Sequence, residues 1–192
     1  IMGGNAIGVE IYAGGVMVVG FSDIKTDAGT CCPAYEASIQ VGDVITVACG
    51  EQIKTVEQLS KIVGDSGGRT VTMTVLRREE IFEAVVQPVR PTGQEGYRAG
   101  MWVCGSAQEI GMLTFIDPHT GTFGALGHAI CGVDTGEIFP IDKGTVVGAN
   151  IIDIRKGQNG EIGELVGVFD DSVSIGKLFA NGRAGIFGQI SN

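Results

Sequence analysis

Glycine is the residue that most constrains how this chain can fold, since it fills 32 of the 192 positions. Glycine loses more backbone freedom on folding than any other residue and is a poor helix former, so this content disfavours a helical bundle. Between the glycines lie short apolar and β-branched runs, while aromatic residues make up only 6% of the chain. This alternation is typical of many short strands joined by tight turns, and it predicts a mainly β fold.

Charge and hydropathy exclude several classes of protein. The formal net charge is -9 with acidic residues dispersed along the chain, which argues against a nucleic-acid or anionic-membrane partner. A hydrophobic content of 44% against 18% charged residues is too apolar for intrinsic disorder. No apolar run approaches the roughly 20 residues needed to span a bilayer. The sequence starts at Ile1 without an initiator methionine, so we expect that any export or anchoring segment has been removed.

The five cysteines give no sign of a metal centre. Their number is odd and no C-x-x-C pair occurs, so a structural zinc site is not expected, and no metal or organic cofactor is implied. Buried free thiols are the expectation, with a Cys104–Cys131 disulfide left open. Cys131 follows His128 by three residues, and we interpret it as a small strand residue rather than a nucleophile.

The first part of the chain predicts a compact α+β module. Two strands, 6–11 and 15–21, flank a glycine-rich turn, and Pro33 opens a short helix. Thr55 is placed to cap a helix over 55–63 that Gly64 ends, and a hairpin over 70–76 and 81–86 closes the module. A stretch rich in proline and glycine, 88–97, then predicts a linker.

This order of elements, with its Pro-Ala-x-x-Ala and Val-Gly-Asp-Val-Ile motifs, resembles a PDZ domain of the kind fused to exported bacterial proteases. PDZ domains bind an extended peptide as an added strand and hold its carboxylate on backbone amides. The resemblance makes Val56 and Leu59 groove residues, or else core residues, and Ser38 stands where the family usually has glycine. It implies that the carboxylate-binding loop consists of Ala6, Ile7, Gly8 and Val9.

A motif in this module imitates a nucleophile loop of chymotrypsin-like proteases. Gly64-Asp65-Ser66-Gly67-Gly68 has the glycines that let the backbone form an oxyanion hole beside a serine. However, the motif follows a predicted helix and precedes the histidine at 128, whereas the chymotrypsin-like order is the reverse. We therefore interpret Ser66 as a loop residue.

The second part of the chain predicts strand after strand at a spacing typical of a barrel or sandwich. Strands are expected over 101–103, 111–116, 122–130, 137–141, 145–154, 163–169 and 185–187. The Asp117-Pro118-His119-Thr120-Gly121 turn joins two of them into a hairpin, and His119 is a solvated residue of that turn. His128 follows Gly124, Ala125 and Gly127, whose small size lets another segment approach. Because histidine moves protons near neutral pH, His128 is the candidate general base.

Several motifs in this half resemble the stage IV sporulation protein B (SpoIVB) peptidase family. They are Ile110-Gly111-x-Leu113-Thr114-Phe115-x-Asp117-Pro118, Gly124-Ala125-Leu126-Gly127-His128, Asp134-Thr135-Gly136, Lys156-Gly157-x-x-Gly160-x-x-Gly163-Glu164 and Gly185-Ile186-Phe187-Gly188. The resemblance implies a sporulation serine endopeptidase related to chymotrypsin-like enzymes, with His128 as the catalytic histidine. It implies export from the forespore into the space between the forespore and mother-cell membranes. There the peptidase would cleave a regulator of a membrane-embedded protease and so activate a late sigma factor.

The same resemblance implies a division into a PDZ domain (1–90), a linker (91–98) and the N-terminal portion of an all-β, chymotrypsin-like barrel (99–192). It also implies self-cleavage, a PDZ ligand that can be the protein itself, and membrane association through an N-terminal segment outside this sequence. The family serine is expected beyond Asn192, since Ser172, Ser174 and Ser191 lack flanking glycines, so the 192 residues should be inactive. The acidic partner is also expected there, because Asp134 and Asp153 are interpreted as turn caps. The alternative is a non-catalytic, peptide-binding regulatory module.

Overall fold

The computed structural model describes residues 3–132, 136, 138–157 and 164–191. Strands hold 58% of the described residues and helices 7%, which confirms a mainly β protein. The two helices of the described part are α1 (Pro33–Glu36) and α2 (Val56–Gly64). Its strands are β1 (Ala6–Phe21), β2 (Ile24–Thr26), β3 (Gly29–Cys31), β4 (Val44–Ala48), β5 (Glu51–Gln52), β6 (Val71–Arg77), β7 (Glu80–Val86), β8 (Met101–Met112), β9 (Phe115–Ile116), β10 (Thr122–Leu126), β11 (Lys143–Arg155), β12 (Glu164–Gly182) and β13 (Gly185–Ile190).

The chain forms two compact units, and their boundary differs from the predicted linker at 91–98. One unit, here the helical unit, comprises Ala13–Gly105 with Gly132–Glu137. The other, here the β unit, comprises Ile1–Tyr12, Ser106–Cys131 and Ile138–Asn192. Strands β1 and β8 therefore each contribute residues to both units.

The helical unit is an antiparallel sheet with a helix whose ends are locally encoded. Strand β4 pairs with the second half of β1 and with β5 and β6, and β6 pairs with β7 in the predicted hairpin. Helix α2 begins as predicted: the Thr55 side chain accepts a hydrogen bond from the Gln58 backbone N–H, and the Gln58 side chain returns one to Thr55. This capping box satisfies backbone donors that the first helical turn leaves unpaired. Pro33 likewise opens α1.

An ion pair with a buried carboxylate joins the turn before β4 to the end of β6 in the helical unit. Asp43, 1% exposed, receives two hydrogen bonds from the Arg77 guanidinium at 2.7 and 2.8 Å and one from the Gln40 backbone N–H at 2.8 Å. The hydrogen bond from Arg77 to this carboxylate raises the pKa of Arg77. Arg77 also donates to the backbone carbonyl of Ser38 at 2.8 Å. Since the charges are desolvated but mutually satisfied, the pair fixes the turn before β4 against the end of β6.

Ser38 occupies a backbone position that suits glycine. Its φ angle is +63°, in the left-handed region that costs an L-residue about 1–2 kcal/mol. Ser38, which stands where the PDZ domains it resembles usually have glycine, therefore has a strained backbone.

The β unit contains the strand order β11-β12-β13-β10-β9, with the first half of β1 paired to β11. The predicted hairpin is present, because Phe115 and Ile116 of β9 face Gly124 and Phe123 of β10. In its turn, the Asp117 carboxylate accepts hydrogen bonds from the His119 backbone N–H and the Thr120 hydroxyl. Gly124 is required for the pairing, because a Cβ there would lie 2.5 Å from the Phe115 ring.

Several strand predictions need correction. The strand predicted over 101–103 continues as β8 to Met112, and the strand predicted over 163–169 belongs to β12, which continues to Gly182. The two predicted strands over 6–11 and 15–21 are one strand, β1, because each half finds its own partner, β11 or β4. Strand β10 ends at Leu126 rather than at 130. Of the predicted strand 137–141, Ile138 forms only an isolated bridge to Cys131, while residue 137 lies outside the described residues.

Cys131 is a free thiol, so the Cys104–Cys131 disulfide that the sequence left open is absent. Within the described residues, neither helix has the length and apolarity to cross a membrane.

Candidate functional site

The segment that carries His128 is fixed at the point where β10 ends. The Leu126 backbone N–H donates to the Thr114 hydroxyl at 2.9 Å, and the Gly127 N–H donates to the Ala184 carbonyl at 3.2 Å. Ala129 and Ile130, the next two residues, are buried at 7% and 5% exposure. His128 is thus held on both sides along the chain.

Asn181 of β12 fastens this segment from the other side, and sequence reasoning missed it. Its side-chain oxygen accepts from the Ile130 N–H at 2.8 Å. Its side-chain nitrogen donates to the carbonyls of Ile130 and Phe139, at 2.8 and 2.9 Å. One amide side chain, with an acceptor oxygen and two N–H donors, therefore satisfies three backbone groups of two segments.

The two ring nitrogens of His128 have different environments. Nδ1 lies 2.9 Å from the Ala129 carbonyl oxygen, which can only accept, so this hydrogen bond assigns the proton to Nδ1. In the neutral ring Nε2 then carries the lone pair, as a general base requires. The His128 side chain as a whole is 75% exposed.

A carboxylate lies beside Nε2. The Glu109 Oε1 atom, on β8, is 3.5 Å from Nε2, and the Glu109 side chain is 35% exposed. At that distance and exposure the contact is a weak ion pair when the imidazole is protonated. The sequence did not indicate Glu109, because strands were predicted on either side of it but none across it.

The residues assigned to a PDZ carboxylate-binding loop do not form a loop. Ala6 begins β1, and Ile7, Gly8 and Val9 pair with residues 148, 147 and 146 of β11. The side chains of Ile7 and Val9 are buried at 0% and 1% exposure. The loop prediction is wrong because the extended, apolar sequence finds a strand partner on β11.

The two residues assigned to the PDZ groove lie together on α2, in the helical unit, whereas 6–9 belong to the β unit. Leu59 is 2% exposed and belongs to the hydrophobic core, and Val56 is partly buried and packs against that core.

The positions of the remaining candidate residues show which of the predicted loop and turn assignments hold. Ser66 lies in the turn after α2, as predicted, and its hydroxyl accepts from the Gly68 N–H at 3.3 Å. His119 is an exposed turn residue, as predicted. Asp153 is not a turn cap but an exposed residue of β11, and Asp134 lies outside the described residues.

The mainly β scaffold thus presents His128 as an exposed imidazole whose Nδ1 lies at a backbone carbonyl and whose Nε2 lies near a carboxylate. The chain belongs to the SpoIVB peptidase S55 family, whose model matches residues 95–192. The family is one of serine peptidases, which act on protein substrates. The comparison with curated proteins finds no match.

Proposed function

We propose that His128 is the general base of a SpoIVB-type serine peptidase. The observation that carries this proposal is the hydrogen bond between Nδ1 and the Ala129 carbonyl, which leaves the lone pair of the neutral ring on Nε2, in a side chain that is 75% exposed. A serine hydroxyl placed at Nε2 would lose its proton to that atom as its oxygen attacks the peptide carbonyl. The same atom would then return the proton to the leaving amine.

In this proposal the Ala129 carbonyl takes the place of the aspartate in the Ser-His-Asp arrangement, because it accepts the hydrogen bond from Nδ1 and so holds the ring in one tautomer and orientation. It does so without a charge, and Asn181 holds the chain of Ile130 next to it. The nucleophile in this proposal is the serine that the family resemblance implies after Asn192. Ser66 is not assigned this role, since its hydroxyl hydrogen-bonds within its own turn.

Family membership supports the wider role proposed for the protein. In that role the peptidase acts outside the cytoplasm, between the forespore and mother-cell membranes. Its substrate is a regulator of a membrane-embedded protease, and cleavage activates a late sigma factor. The acidic chain, with a formal net charge of -9, suits a protein partner rather than a nucleic acid.

A fluorophosphonate probe, which modifies activated serines, tests the assignment. We expect no labelling of the 192-residue chain and labelling of a longer form that includes the family serine motif. In the longer form, His128→Ala should reduce the labelling rate by about 10²- to 10⁴-fold, the usual contribution of a general base. His119→Ala, the other histidine of the chain, is the matched control and should leave the rate unchanged.

Two results would contradict the proposal. The first is labelling of the 192-residue chain that disappears in Ser66→Ala. The second is an unchanged labelling rate in His128→Ala of the longer form.

A further inference from the structure

Strand β11 has partners on both sides over only part of its length. Along 145–148 it lies between β1 and β12, whereas along 149–155 the structure describes pairing with β12 alone. The chain before β1 does not continue along β11, because Gly3, Gly4 and Asn5 hydrogen-bond to the backbone of 113–114 instead. Within the described residues, the side of 149–155 that faces away from β12 is therefore an unpaired strand edge, here the open edge. Such an edge is a template on which another strand can pair.

The backbone of Ile154 presents hydrogen-bonding groups to the open edge. Its N–H donates to the carboxylate of the preceding Asp153 at 2.8 Å, so a side chain of its own strand satisfies this donor. In an antiparallel pair a residue directs its N–H and its C=O toward the same neighbouring strand. We infer that both groups of Ile154 point away from β12. A strand laid along the open edge would take over the N–H from Asp153.

Exposed isoleucines follow this edge. Ile151, Ile152 and Ile154 are 40%, 66% and 61% exposed. A bulge between Ile151 and Asp153 leaves Ile152 without a partner on β12. An unpaired strand edge with several exposed apolar side chains is typical of an interaction surface.

Two charged residues on this edge indicate which partner fits it. Asp153 and Arg155 stand on either side of Ile154, and all three residues are exposed. When two copies of the strand pair antiparallel with Ile154 opposite Ile154, Asp153 of each copy lies opposite Arg155 of the other. Opposite charges in directly facing positions stabilise a strand pair, and like charges destabilise it. Pairing centred on Asp153, or parallel pairing in register, would instead set two aspartates against each other.

We propose that residues 149–155 are a self-association surface, on which a second copy of this chain pairs antiparallel about a two-fold axis at Ile154. The two Ile154 backbones exchange both of their hydrogen bonds, and two Asp153–Arg155 pairs flank them. A contact between identical surfaces closes on two copies. The surface lies in the β unit, apart from the peptide groove that the family resemblance implies for the helical unit. It does not depend on the chemistry of His128.

Sedimentation equilibrium of the 192-residue chain measures this association. One strand per copy is a small contact beside the roughly 1,200–2,000 Å² of stable interfaces, so we expect a dimer with a Kd on the order of 0.1 mM. Asp153→Arg sets arginine against arginine on both sides of the axis, and Arg155→Asp sets aspartate against aspartate. Each variant alone should therefore associate at least about tenfold more weakly than the unchanged chain.

An equimolar mixture of the two variants is the decisive sample. One copy then contributes two arginines and the other two aspartates, so both opposite-charge pairs are restored and the mixture should associate like the unchanged chain. Glu51→Arg and Lys61→Glu, at exposed positions of β5 and α2, are the matched controls. They change the net charge by the same amounts and should leave the association unchanged.

Hydrogen exchange of the unchanged chain is the second measurement, and it needs no variant. The Ile154 amide should exchange about threefold more slowly at about 1 mM than at about 10 µM, since it becomes part of the dimer ladder. The amide of Met73, in the core of the helical unit, should exchange equally at both concentrations.

Several results would overturn the proposal. A chain that stays monomeric up to about 1 mM has no such surface. Association that the two β11 variants leave unchanged would place the contact elsewhere, for example on the exposed Ile81 and Val85 of β7. A mixture no more associated than its separate components would show that Asp153 and Arg155 do not face each other. Equal weakening by the controls, or an Ile154 exchange rate independent of concentration, would also contradict it.

Discussion

Replacing Asn181 by alanine tests how His128 is held in place. The substitution removes three hydrogen bonds, all of 2.8–2.9 Å, to the backbones of Ile130 and Phe139. These two residues are 5% and 1% exposed, so water reaches the orphaned groups poorly. A buried polar group left without a partner costs about 1–3 kcal/mol, and partial relaxation of the segment reduces the sum. We therefore expect a loss of about 2–4 kcal/mol in the free energy of unfolding of the β unit.

Urea denaturation followed by circular dichroism measures this loss. Hydrogen exchange of the Ile130 amide localises it, with an expected acceleration on the order of 10- to 1000-fold, because 1.4 kcal/mol corresponds to a factor of ten. Asn181→Asp keeps the acceptor for the Ile130 N–H but places a carboxylate next to the two carbonyls. At neutral pH it should therefore be no more stable than Asn181→Ala. Asn150→Ala, at an exposed position of β11, is the matched control and should change stability by less than about 0.5 kcal/mol.

Two results together would contradict this role of Asn181. They are an unchanged urea midpoint of Asn181→Ala and an unchanged hydrogen-exchange rate of its Ile130 amide. In that case the segment around His128 would be fixed by Thr114 and Ala184 alone, through Leu126 and Gly127.

Three further predictions concern the scaffold. Asp43→Ala removes the carboxylate that accepts from Arg77 and from the Gln40 N–H, and since water still reaches the 29% exposed Arg77 side chain, it should cost about 1–3 kcal/mol in urea denaturation; an unchanged midpoint would contradict this. Ser38→Gly relieves the left-handed strain but enlarges the unfolded ensemble, so a net gain of about 0.5–1 kcal/mol is expected by the same measurement, and a loss would show that the strain is absent. The His119 N–H lowers the pKa of Asp117 below its ordinary 3.8. The stability that Asp117 contributes is therefore present above pH 3.8 and lost as pH falls through the lowered value, so Asp117→Ala should narrow the difference in stability between pH 5 and pH 2.

Local sequence signals were sufficient for the elements whose contacts are local. The capping box of Thr55 spans three residues, and the turn of Asp117 joins strands that are neighbours in sequence. In such elements the side chain and its partner belong to the same short window, so residue type and spacing predict the structure.

The contacts around His128 could not be predicted from local sequence, because their partners lie far away along the chain. Glu109 and Asn181 reach the segment of His128 from β8 and β12, and 51 residues separate Asn181 from Ile130. An asparagine within a strand carries no sign of which backbone it will meet. The strand over 6–11 was predicted from its residues, but its partner β11 was not, and it is this distant pairing that excludes a carboxylate-binding loop at Ile7–Val9.

The pairing of β1 with β11 also sets an order of events during synthesis. Tyr12 faces Lys143, so the first half of β1 waits for a partner made roughly 130 residues later, a delay on the order of 10 s at usual elongation rates. Meanwhile Ile7, Val9 and Ile11, all fully buried in the finished protein, are exposed on an unpaired edge. Residues 7–11 are thus exposed to aggregation until β11 has been made, although Ile7, Val9 and Ile11 are among the most buried side chains afterwards.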